Sequence, residues 1–82
     1  MKHRSHPGIS QRLKRAEGHL RSTIQMIESG RPCLDLAQQL HAVESAISNA
    51  KKELIHVHME HCLDAMEPKK ALKEMRALSK YT

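Results

Sequence analysis

Nine residues, Cys33, Leu36, Leu40, Val43, Ile47, Ala50, Leu54, Val57 and His61, follow one another at alternating intervals of three and four without a break. That is the period of a coiled-coil seam sustained over four heptads, whereas a strand would need a period of two. The spacing predicts one long helix from about Pro32 to Leu63, and such a helix must lay its seam against another. Upstream, Ile9, Leu13, Ala16, Leu20, Ile24 and Ile27 recur at threes and fours, predicting an amphipathic helix opened by Pro7 and running to about Glu28. "SGRP" ends it, because Gly30 suits a left-handed cap and Pro32 can start the next helix. Pro68 in "EPKK" then breaks the chain before a short third helix carrying Ala71, Leu72, Met75 and Leu78. Nothing reads as a strand, a repeat or a low-complexity linker. The expected fold class is all-α, a three-helix protomer with a long central helix.

A chain of 82 residues buries only a thin core as a monomer. The first helix is too short to cover the whole seam, so subunits are expected to pack together as an antiparallel helical dimer or a dimer of dimers. The ends of the seam, Cys33 and His61, are polar where a core should be apolar. Cys33 and His58 stand 25 residues apart, roughly 37 Å at 1.5 Å per residue, so one straight helix cannot bring them to a common ion. Two helices packed antiparallel about a twofold near Ile47 would set position 33 of one chain opposite position 61 of the other, within reach of His58 and Cys62.

The heptapeptide "HVHMEHC" at that end concentrates three histidines and a cysteine. His58 and Cys62 are four apart and project from one helix face, one turn apart, as two ligands to one ion do. Thiolate with imidazole suits copper(I), zinc(II), nickel(II) or cobalt(II) and argues against magnesium or calcium. His56 points away from the seam and is read as solvated, His61 as a packing or hydrogen-bonded residue, and His19 and His41 as surface residues. Residues 1–6 form an expected flexible arm carrying His3 and His6, and residues 7–82 a single domain.

Lys and Arg number 14 against 9 acidic residues, a formal charge of +5 that favours a polyanionic partner. Lys14 and Arg21 lie opposite the apolar stripe of the first helix, and Arg12 and Arg15 flank it. With no helix-turn-helix pair, zinc finger or basic zipper, such a surface would contact mainly phosphates and read DNA shape. No apolar run is long enough to span a bilayer or form a signal-peptide core, so no membrane association and a cytoplasmic location are expected. The two cysteines then suit a metal or redox role rather than a disulfide. An enzyme is not expected, since no loop forms a pocket and no His or Cys has an evident orienting partner.

"RLKRAEGHL", "CLDLAQQLHAVESAI" and Cys33, His58 and Cys62 at these separations resemble the CsoR/RcnR-type metal-sensing transcriptional repressors over about residues 9 to 80. The resemblance implies an antiparallel helical dimer, usually a homotetramer, that binds operator DNA when metal-free and leaves it when its effector binds. It assigns Cys33 from one protomer and His58 and Cys62 from the other as metal ligands. It places Arg12 at a DNA-contacting position, with Lys14, Arg15 and Arg21 adding charge nearby. Some relatives carry arginine on the second helix where this chain has Asn49, flanked by Lys51 and Lys52. Copper(I) members use a trigonal Cys/His/Cys site, often with a tyrosine where Pro32 stands here. Nickel(II) and cobalt(II) members add a nitrogen from the N-terminal segment, which His3 or His6 could supply. That arm places nickel(II) or cobalt(II) ahead of copper(I) as the expected effector. The alternatives are a copper(I) sensor, a metal carrier or buffer without an operator, and a persulfide or formaldehyde sensor acting through Cys33.

Overall fold

The computed structural model describes residues 7–82, with the side chains of residues 62 and 63 outside that description. Three helices, α1 (Pro7–Glu28), α2 (Cys33–Ala65) and α3 (Pro68–Leu78), precede a single 3-10 turn at Ser79–Tyr81. No strand occurs among the described residues, so the all-α architecture with a long central helix is as the periodicity predicts. The chain forms two compact units divided after Ala50, and α2 contributes to both.

The junctions follow from local backbone chemistry. Gly30 has φ +77°, the Gly30 N–H donates to the Ile27 carbonyl (3.1 Å), and the Arg31 N–H donates to the Met26 carbonyl (3.1 Å). This pair of bonds is a Schellman cap, which satisfies carbonyls that the end of α1 would otherwise leave without partners. One residue later the Pro32 carbonyl accepts the Leu36 N–H (3.1 Å), the first helical bond of α2. At α3 the Glu67 carbonyl accepts the Ala71 N–H (2.9 Å) and Pro68 takes the first helical position, where its missing N–H costs nothing.

In the first unit α1 and α2 run antiparallel. The His19 Nε2–H donates to Gln39 Oε1 (2.6 Å), and Arg12, Arg15 and Ala16 share a cleft with Ala46 and Asn49, so residue numbers advance in opposite directions along the two helices. The buried line of α1 is Ile9, Ala16 and Thr23, each seven residues after the last, and that of α2 is Val43 and Ala50. Thr23 is fully buried and its hydroxyl donates to the His19 carbonyl one turn back (2.9 Å), which removes the cost of burying it bare. The expected apolar stripe is wider than this contact. Leu13, Leu20, Ile24 and Ile27 on α1, and Leu40 and Ile47 on α2, remain between 38% and 50% exposed.

In the second unit Ile55, His58 and Ala71 are buried. In the single chain the seam residue Leu54 is 41% exposed, as Leu40 and Ile47 are in the first unit, and α2 buries Ile55 and His58 here instead. The cause is α3, which meets that side of α2 and supplies a hydrogen-bond acceptor to His58 there. His61, at the end of the seam, is exposed in the single chain.

Candidate functional site

His58 has 6% of its surface exposed, and its Nε2 lies 2.7 Å from Glu74 Oε1 on α3. A carboxylate only accepts, so the His58 Nε2–H donates in this contact and Nδ1 is the ring nitrogen not engaged by Glu74. A carboxylate behind an imidazole fixes the ring's tautomer and orientation and raises its basicity, which is how outer partners support metal-binding histidines. Glu74 was not singled out in the sequence. Its signal was present, however: it stands three residues after buried Ala71 and four before half-buried Leu78, an acid on the packing face of an amphipathic helix.

The other expected ligands are distributed as follows. Cys33 opens α2 in the first unit as an exposed free thiol. Position 62 lies one turn after His58 on α2, and the Cys62 side chain falls outside the described residues. His3 and His6 also lie outside them. Among the described residues, no three His, Cys, Asp or Glu side chains of this one chain converge on a point that could hold an ion. The remaining histidines divide by environment. His41 is exposed, and His56 is exposed beside Glu60 (3.0 Å), whereas His19, read as a surface residue, is half-buried through its bond to Gln39.

Arg12, Arg15, Ala16, His19, Ala46 and Asn49 line a cleft of about 420 Å³ in the first unit. Two guanidiniums, an imidazole and a carboxamide on one side of a helix pair form a donor-rich surface suited to phosphate oxygens. Lys14 and Arg21 are exposed on α1, and Arg21 lies 3.9 Å from Glu17 with both side chains over 70% exposed, a contact that contributes little. Lys51 and Lys52 are exposed at the start of the second unit. No helix among the described residues is long and apolar enough to cross a membrane.

A helical hairpin with a basic cleft, and a carboxylate-backed histidine one turn before a cysteine, fit the class of helical metal-responsive regulators. Residues 5–81 match the metal-sensitive transcriptional repressor family, and the chain belongs to it. It is 44% identical over 54 residues to the copper-sensing transcriptional repressor CsoR of Mycobacterium ulcerans (strain Agy99), covering 66% of this chain and 46% of that one. It is 40% identical over 55 residues to the copper-sensing transcriptional repressor CsoR of Bacillus subtilis (strain 168), covering 67% and 54%. It is 37% identical over 54 residues to the copper-sensing transcriptional repressor RicR of Mycobacterium tuberculosis (strain ATCC 25618 / H37Rv), covering 66% and 56%. The chain spans about half the length of the curated relatives it matches. No solved structure matches it.

Proposed function

We propose that this chain is a copper(I)-responsive transcriptional repressor that binds operator DNA without metal and releases it when copper(I) binds. The observation that carries this reading is buried His58 held by Glu74 one turn before Cys62, in a chain whose similar relatives are named for copper sensing. Cys33 of one protomer and His58 and Cys62 of another supply the ligands, two thiolates and an imidazole, a soft set that suits copper(I). The sequence placed nickel(II) or cobalt(II) first because His3 and His6 could complete a larger ligand set; the relatives favour copper(I).

The assembly this requires is supported by the apolar side chains a single chain leaves uncovered. Leu40, Ile47 and Leu54 recur every seven residues along α2, and Leu13, Leu20, Ile24 and Ile27 line α1, all more than a third exposed. Burying such rows is what drives helices together, and an antiparallel pair centred near Ile47 would give a homodimer able to pair again into a tetramer. Residues 7–82 then act as one metal-sensing, DNA-binding domain preceded by the arm. Arg12, Lys14, Arg15, Arg21, Lys51 and Lys52 provide the cationic surface for phosphates.

Copper(I) requires both cysteines as thiolates, so its binding releases protons and ties Cys33 of one chain to the His58 helix of the other. Linkage then demands that DNA weaken copper binding by the factor by which copper weakens DNA binding, ordinarily about 5–150-fold. The test is fluorescence anisotropy with labelled duplex from beside the protein's own gene, performed anaerobically with apo protein, copper(I) and nickel(II). Binding by apo protein and release by copper(I) supports the proposal. Release by nickel(II) alone restores the nickel reading. Tight copper(I) binding with no DNA affinity in any state identifies a metal carrier instead.

A further inference from the structure

We infer that α3 and the 3-10 turn after it carry a second DNA-contacting surface, a row formed by Lys69, Lys73 and Arg76 of α3 and Lys80 of the turn, in addition to the basic cleft of the first unit. This inference rests on the repressor reading above. Lys69, Lys73 and Arg76 recur at intervals of four and three, which at about 100° per residue confines them to a stripe roughly 60° wide, and Lys80 follows four residues later in the 3-10 turn. That stripe lies opposite Ala71, which is buried, and Leu78, which is half-buried, so the row faces away from the packing side, and all four side chains are exposed. Lys70 lies beside it and is also exposed.

An ordinary solvated surface mixes signs, and elsewhere this chain does so: Arg21 sits four residues after Glu17 on α1, and Arg31, just ahead of α2, four before Asp35. The α3 row has no such partner. The one carboxylate within α3, Glu74, is turned to His58, and among the described residues none of the four cations is joined to an acid. Lys69 and Lys73, and Lys73 and Arg76, are like-charged neighbours at helical spacing within α3, which opposes helix formation, and Lys80 adds a fourth positive charge just beyond its end. A short helix that concentrates repulsion on its outer face is relieved when a polyanion covers that face. Phosphates of a duplex do this, with release of counterions, and the charge complementarity and family membership both favour DNA as the occupant. The row also rides on the helix that holds His58 through Glu74, so a change at the metal site reaches it directly.

The experiment measures binding of the full chain to the duplex from beside its own gene at several salt concentrations, comparing wild type with Lys69→Gln/Lys73→Gln/Arg76→Gln/Lys80→Gln. The inference expects the slope of log affinity against log salt to fall by about 0.9 per lost contact, about 3.6 for one protomer's full row. It also expects the variant to melt no lower than wild type, because the substitutions remove repulsion. Replacing the three lysines by arginine should keep the wild-type slope. Equal slopes for wild type and the glutamine variant overturn the inference while leaving the repressor reading intact. Loss of binding to phosphatidylglycerol vesicles in the variant, with equal DNA slopes, overturns it in favour of a lipid surface. Absence of DNA binding by the wild type removes the repressor reading, and this inference with it.

Discussion

Replacing Glu74 tests the link between α3 and the candidate metal ligand. The His58 Nε2 to Glu74 Oε1 bond is 2.7 Å, the imidazole is 6% exposed, and the Glu74 side chain is 39% exposed. A hydrogen bond to a charged group contributes about 1.5–3 kcal/mol, and partial exposure of the carboxylate favours the lower end of that range. Glu74→Ala also removes the acceptor of a nearly buried N–H, so a loss of about 1.5 kcal/mol is expected, which for a chain of this size lowers Tm by about 6–12 °C. The effect on metal should be larger in relative terms. Loss of an outer partner to a ligating histidine typically lowers metal affinity about 10–100-fold. Glu74→Gln keeps an acceptor oxygen without the charge and should fall between wild type and Glu74→Ala on both measures. The assays are a thermal melt of the apo protein and an anaerobic copper(I) competition against a chromophoric chelator. A double-mutant cycle with His58→Ala assigns the loss to the pair rather than to helix propensity. If Glu74→Ala melts with the wild type and holds copper(I) equally well, the carboxylate neither anchors His58 nor tunes it.

Other expected outcomes probe the turn, the assembly and the DNA surface. Gly30→Ala places a Cβ at φ +77° and should destabilise the chain by about 1–2 kcal/mol, read as a lower Tm. Ile47→Asp should shift the protein toward monomer in sedimentation, since a twofold at that point would bring two carboxylates together in an apolar contact; an unchanged distribution would place the twofold elsewhere. Arg12→Ala should weaken DNA binding and lower its salt slope by about 0.9 without altering copper(I) affinity.

The helices were legible because their signals are local. Proline at positions 7 and 68, the glycine at 30, and the three-and-four spacing specify starts, stops and faces through backbone chemistry alone. Which apolar residues a single chain buries was less legible, since the α1 stripe and the seam are each wider than the contact one neighbouring helix can make. Leu13, Leu40 and Ile47 therefore stay exposed while Thr23, with no apolar signature beyond its methyl, is fully buried. The candidate ligands Cys33, His58 and Cys62 were identified by residue type and spacing. Glu74 was not: its place on the packing face of α3 is a local signal, but its pairing with His58, a contact between residues 16 apart, is one that no local period encodes.

The most direct test of a site shared between two chains is copper(I) binding by mixed subunits. Cys33→Ala and Cys62→Ala proteins, each expected to lose the tight site alone, are mixed under conditions where mass spectrometry confirms subunit exchange. Copper(I) is then titrated against a chelator. Sharing across a twofold predicts that each heterodimer recovers one intact Cys33, His58 and Cys62 set of its two; since complete exchange of an equal mixture makes half the dimers mixed, the mixture should bind copper(I) with wild-type affinity at about a quarter of the wild-type stoichiometry. Complete exchange with no recovery would contradict it.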